Sequence, residues 1–462
     1  MALSVAQEAR DDPAWAWARY EPAAERPWNL ALAGHLYRRA GFGANWGQLE
    51  QALADGPQTT VDALRAPKAD VNAFDRTYDD YETAAAGGDS AEGLAAWWLR
   101  RMVLTPHPLL EKMTLFWHGH FGISNANVKN ARLMQRHVKL LRKEALGSFG
   151  TMLRAIPHDP AVLLCLNSAA NRKAVPNADF SRALLEDYTV GPGHFAEEDV
   201  AEAARAFTGW FVLRSELKYI PREHDEGAKS ILGREGNFGG DDVVEIALKQ
   251  PSTSTGIVRK LYRWLISETE APADELVAPL ADAFARDLDI GRLVERILRS
   301  NLFFSRAAYR QRVKSPIEFA VGIVRGLESL VSTTQLAQDL ASLGQHLYHP
   351  PTHKGFTDGR YWLNDAALTG RHNLAVALLE GSGSYKDKLD PWAVAGRHQC
   401  TTMDAAGRFI LDLFLQGDVE QEAGNALLEE VRTAGNADGG AAGAALRRLT
   451  HSAVTLAEFN LA

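Results

Sequence analysis

Apolar residues return every three or four positions in segment after segment of this chain, and that periodicity constrains its fold more than any other feature. In PLLEKMTLFWHGHF they are Leu109, Leu110, Met113, Phe116 and Trp117. In IVRKLYRWLI they are Ile257, Val258, Leu261, Trp264 and Leu265, and in IGRLVERILRS they are Ile290, Leu293, Val294, Ile297 and Leu298. Such spacing puts one apolar stripe on each helix, and the stripes must bury against one another. The runs are separated by short punctuation such as Gly41-Phe42-Gly43, Gly191-Pro192-Gly193 and Pro350-Pro351, which breaks helices. The pattern therefore predicts a mainly α protein: a single large irregular helical domain. One stretch departs from it. FVLRSELKYI followed by PREHDEGAKSILG alternates with period two, predicting a small β-hairpin insertion at about 211–232.

Three parts are expected on this basis. Residues 1–28 form an irregular lead-in pinned by Trp15, Trp17 and Trp28, residues 29–380 form the main helical domain, and residues 381–462 form a C-terminal helical extension packed on it. The Ala/Gly stretch from Thr83 to Gly93 is predicted to be a loop, and AGNADGGAAGAA at 434–445 a flexible or loosely helical connector. With 462 residues, core size does not limit stability.

Several function classes are disfavoured. With 50 Lys+Arg against 58 Asp+Glu, a net charge of −8 gives no reason to expect a nucleic-acid partner. Two cysteines, Cys165 and Cys400, stand far apart and outside any Cys-x-x-Cys motif, against a disulfide framework or thiolate zinc site. No run approaches the ~18 apolar residues of a membrane span. The N-terminus carries acids where an export signal has a basic patch, so the chain as written is expected to be cytoplasmic, with no membrane partner. No Gly-x-Ser-x-Gly elbow or local cysteine signature marks a hydrolase nucleophile.

The chemistry concentrates around Trp117-His118-Gly119-His120-Phe121. If the helix continues through Gly119, His118 and His120 project to nearly opposite sides, since each residue advances about 100°. His120 then extends the apolar face, and His118 joins Glu111 and Thr114 on the polar one. If the helix stops at Gly119 and the chain extends, the two imidazoles can point the same way, as neighbouring ligands of one metal. On the second geometry His118, His120 and His224, with Asp225 or Glu186 adding a carboxylate, could hold a divalent or transition metal ion. On the first they are a helix-end cap, a core residue and part of a turn. Glu186, Asp225 and Lys229 are the candidate catalytic residues. Arg182, Lys354 and Arg360 are candidates for binding a small-molecule substrate, the last two on the irregular tract 349–362, where loops on a rigid scaffold present binding groups. Arg182 and Glu186 stand at i and i+4, the spacing of a surface ion pair.

Several blocks in order carry a resemblance: RRAGFGA at 38–44, EKMTLFWHGHF at 111–121, EEDVAEAARAFTGW at 197–210, HDEGAKSILG at 224–233, RVKSPIEF at 312–319, PPTHKGF at 350–356 and the final EFNLA. Together they resemble the bacterial domain-of-unknown-function 1800 family over nearly the whole chain. The resemblance implies a largely helical fold without an assigned activity, in proteins often exported and often encoded beside a sulfatase-like partner protein. Where that family usually carries Ala-Arg-Glu-Leu, this chain has Ser181-Arg182-Ala183-Leu184, so one acid is missing. The function expected from the residues is a metal-dependent enzyme, hydrolytic or oxidative, centred on the WHGHF segment and the His224-Asp225 turn. The competing expectation is a non-catalytic helical binding or accessory protein acting with a partner.

Overall fold

The computed structural model describes residues 12–462 apart from 68–69, 88–89, 357–358, 382 and 435–438. Helices dominate it, as the patterning requires. Buried side chains from Ala16 to Phe459 form one continuous hydrophobic cluster. Trp17 donates its indole N–H to the Leu276 carbonyl at 2.7 Å and Trp28 to that of Ala52 at 2.9 Å, which ties the lead-in to the body. At the other end Ala462 N–H donates to the Arg312 carbonyl at 2.7 Å, and Phe459 packs on Phe319 and Phe414.

The helix Pro108–Phe121 runs through the middle of this core. Pro108 sits at its first turn, where a missing N–H costs nothing. It does not stop at Gly119. The chain leaves the helix at Gly122, whose φ of 61° lies in the left-handed region that glycine tolerates. Its polar face is buried too, because every charge on it finds a partner. Glu111 accepts from the Trp98 indole at 2.8 Å and from Arg101 and Arg142. Lys112 pairs with Glu318, which also receives both Nη groups of Arg312 at 2.6 and 2.9 Å.

The strand insertion is present and consists of two hairpins. Trp210–Leu213 pairs antiparallel with Glu216–Tyr219, and Lys229–Ile231 with Arg234–Gly236. Each closes on two residues with positive φ, Arg214-Ser215 and Leu232-Gly233, the turn geometry that matches strand twist. Elsewhere the helical content exceeds expectation. Val71–Ala85 is a helix that stacks Phe74 on Tyr78, and a second helix begins at Glu92, so both ends of the loop expected from Thr83 to Gly93 are helical, with 88–89 outside the described residues. Pro391–Arg397 is a further helix, capped by the Asp390 side chain. The connector resolves into the helix Gly439–Thr455, with 435–438 outside the described residues.

One helix departs from α geometry partway along its length. The segment Asp179–Tyr188 is α only over Asp179–Ala183 and then widens into a π-helix over Leu184–Tyr188. Such turns shift the register of the side chains beyond them and occur often at functional sites.

Candidate functional site

Because the helix continues through Gly119, the two histidines of the WHGHF motif face different environments. His118 is fully buried, ringed by Trp98, Tyr348 and Phe356, and its Nε2 accepts the Tyr348 backbone N–H at 3.1 Å. Burial holds its pKa down at about 3, so the ring is neutral. His224 lies on the hairpin insertion, where its Nδ1–H donates to the Thr208 carbonyl at 2.9 Å. The structure therefore does not gather His118, His120 and His224 into the metal centre expected of them. Among the described residues, no group of three or more His, Cys, Asp or Glu side chains is placed to hold a metal ion.

The other candidates on the insertion are structural fasteners. Asp225 accepts from Arg205 Nε and Nη2 at 2.8 and 3.1 Å, and that guanidinium holds its carboxyl near 2. Lys229, 2% exposed, donates to the carbonyls of Asp225 and Gly227 at 2.6 and 3.0 Å, closing the turn. Arg182 does not pair with Glu186. It donates to Glu197 through both Nη groups at 2.9 and 2.5 Å, because the π-turn carries Glu186 out of helical register. The side chain of Arg360 lies outside the described residues.

His120 sits elsewhere. It lines a cleft of about 400 Å³ walled by the end of the WHGHF helix, the π-turn, the helix Pro251–Leu265 with Glu268 beyond it, Arg312 and Ser315, and the tract around Lys354. Phe116, Trp264, Phe356 and Trp362 make its apolar surface. Beside Arg263, Glu268 and Arg312, its polar groups include a connected chain. Lys260 Nζ lies 3.1 Å from His120 Nδ1 and donates to the Asp187 carbonyl at 2.5 Å. Lys354 donates to Glu186 Oε1 at 2.8 Å and stands 3.7 Å from Asp187 Oδ1, while His353 Nε2 is 3.4 Å from Asp187 Oδ2. Glu186 and Lys354, expected as catalytic and substrate-binding groups, are thus brought together, though with partners other than those expected.

The charges in this chain are unequal in strength. Lys260 is an exposed residue at the edge of the cleft, yet the protein packed about its ammonium brings it down to about 8, against the opposing charge of Asp187. His120 is 8% exposed; burial first and the Lys260 charge second push it well below its ordinary value. A neutral His120 must offer its Nδ1 lone pair to Lys260, which puts its own proton on Nε2. Burial raises the Asp187 carboxyl. The hydrogen bond from Lys354 lowers that of Glu186.

The loop bearing His353 and Lys354 is locked on by glycine. A Cβ on Gly355 would fall 1.9 Å from the Gly119 carbonyl oxygen, and one on Gly122 2.3 Å from that of His353. Gly119 is thus not a helix stop but a helical position that the loop backbone touches.

Sequence reasoning missed Lys260 and Asp187. A signal existed for the first, since Lys260 stands four residues before Trp264 and so shares its stripe, an ionisable group beside an aromatic one. None existed for Asp187, whose useful atom is a backbone carbonyl.

The family described as "Protein of unknown function (DUF1800)" matches residues 35–461. No curated protein and no solved structure matches the chain.

Proposed function

The chain belongs to the DUF1800 family of proteins of unknown function, and from that premise we propose that it is an enzyme whose His120–Lys260 cleft transfers a proton to or from a small molecule. The observation that carries this reading is the Lys260 ammonium, held between His120 Nδ1 and the Asp187 carbonyl where it lines an aromatic-walled cleft. A lysine near 8 is mostly protonated at neutral pH yet gives up its proton far more readily than a solvated one, which suits an acid–base group. Neutral His120 is the adjacent acceptor. Phe116, Trp264 and Trp362 would hold the body of the ligand, with a carbonyl or carboxylate oxygen facing Lys260. Glu186 and Lys354 form the rim. The metal centre expected from the three histidines has no counterpart in this arrangement, so no step is assigned to one.

Limited reaction with an amine-directed reagent, mapped by mass spectrometry across pH, tests the reading without a known substrate. Lys260 should label half-maximally near pH 8, while surface lysines follow the ordinary value of about 10.4. Fragments with a carbonyl or carboxylate that protect Lys260 should lose binding in Lys260→Met. A Lys260 that titrates with the surface lysines, or that no fragment protects, would sink the proposal in favour of a non-catalytic role.

A further inference from the structure

A second cleft, of about 600 Å³, lies apart from the first, between the start of the helix Leu30–Ala40 and the turns at 309–311 and 416–418. Its walls include Asn29, Arg306, Tyr309, Arg310, Gln416 and Asp418. Cations outnumber acids here. Arg38 lies beneath the wall, 4% exposed, and donates through Nη1 to the Gln416 side chain. The Arg38 and Arg310 guanidinium carbons stand over the Tyr309 ring at 5.6 and 5.5 Å, so two like charges are held about a single aromatic. Asp418, bound to Arg310 Nε, is the acid in the wall.

These groups are also short of acceptors. Arg310 has a side chain 9% exposed; its Nε goes to Asp418 and its Nη2 to the Leu415 carbonyl at 3.3 Å, but Nη1 has no hydrogen-bond partner among the described residues. Arg38 Nε likewise has none, while the Tyr309 hydroxyl lies against the Arg38 guanidinium. A buried guanidinium N–H without an acceptor is costly, and several of them around one cavity ask for a single ligand rich in acceptor oxygens. Burial and the neighbouring Arg310 bring the Arg38 guanidinium down to about 10, as expected where countercharge is missing.

We propose that this cleft binds a small oxyanion of the phosphate class, either the free ion or the phosphoryl group of a monoester. Arg306 and the Arg310 guanidinium are the donors at the wall, with Tyr309 and Arg38 behind them supplying support and further positive charge. Arginine suits this role because its planar fork meets two oxygens at once. Asp418 opposes an anion and sets a ceiling on its affinity.

Calorimetric titration of the full chain with sodium phosphate at constant ionic strength tests the proposal, with glycerol phosphate as a parallel arm to separate free ion from monoester. One-site saturable binding is expected, weakened about tenfold or more by Arg310→Gln, which removes charge-assisted hydrogen bonds. Tyr309→Phe should weaken it less, and Asp418→Asn should tighten it by removing the opposing charge. Lys260→Met, in the other cleft, should leave it unchanged. Circular dichroism on each variant shows whether Arg310→Gln folds, and Asp418→Asn carries the test if it does not. No saturable binding by the parent, meaning that the cleft holds water only, would overturn the proposal. Binding insensitive to Arg310→Gln and Asp418→Asn, or abolished by Lys260→Met, would do so as well.

Discussion

Replacing Gly355 by alanine should release the loop that carries His353 and Lys354, and the structure allows the cost to be worked out. Gly355 has φ of 88°, so any side chain there meets the left-handed penalty of about 1–2 kcal/mol. The new Cβ would also lie 1.9 Å from the Gly119 carbonyl oxygen and 2.8 Å from its carbon. The helix cannot yield, because that turn is packed against Phe149 and Tyr188 through Trp117, His120 and Phe121. Retreat of the loop or local overpacking adds about 1–3 kcal/mol, for about 2–5 in all. Gly233→Ala is the control, since Gly233 has φ of 75° with nothing within 4 Å of its Cβ and should show the backbone penalty alone. Urea melts of the two variants, with hydrogen exchange across residues 349–356, separate the terms. Gly355→Ala should be the less stable, and the Gly355 N–H, which donates to the Thr352 carbonyl at 2.9 Å, should exchange faster. Equal melts with unchanged exchange would show that the close approach to Gly119 does not hold the loop.

Three further outcomes concern buried groups. Glu318→Gln leaves Lys112 and Arg312 in the core without their carboxylate and should cost about 3–5 kcal/mol by chemical denaturation, whereas a loss below about 1 would refute the buried network as a determinant of stability. Lys260 is lowered to about 8 on folding, so between that pH and the unfolded value near 10.4 the unfolded chain binds the extra proton and stability rises with pH. The parent should therefore gain on Lys260→Met from pH 8 to 10, and a difference that shrinks with pH would contradict the assignment. His118→Leu strands the Tyr348 N–H and should cost about 1–3 kcal/mol more than His118→Gln, which keeps an acceptor, with equal melting losses counting against the hydrogen bond.

Much of the fold was legible because helical periodicity survives any tertiary arrangement. The stripes at Ile257–Leu265 and Ile290–Leu298 became helices packed as expected, and the alternating stretch after Trp210 became strands. Even the outcome at His118 and His120 was one of two readable geometries. The partner of that helix turn lies more than 200 residues away, where Gly355 meets it at Gly119, a contact no local pattern records. The Arg182–Glu186 pair failed for a related reason, since helical spacing assumes an α register that the π-turn does not keep. Hairpin closure on Arg214-Ser215 was illegible too, because neither residue is a usual occupant of positive φ.

The π-turn explains why the cleft exists at all. A helix end leaves its last carbonyls without intrahelical donors, and these must find partners elsewhere. Here Gly191 N–H reaches back to the Leu185 carbonyl at 2.8 Å, and the carbonyl of Asp187 is taken up by Lys260 instead. The same turn sends the Tyr188 hydroxyl to the Phe121 carbonyl at 2.8 Å, fastening the π-turn to the end of the WHGHF helix. An unpaired backbone acceptor thus becomes the anchor of a lysine, and that lysine is held against His120 by the helix opposite. The carbonyl is open because the helix ends one residue later, and Lys260 is the donor that takes it up. The end of the π-turn thus supplies the anchor that holds an amine against His120 at the edge of the cleft.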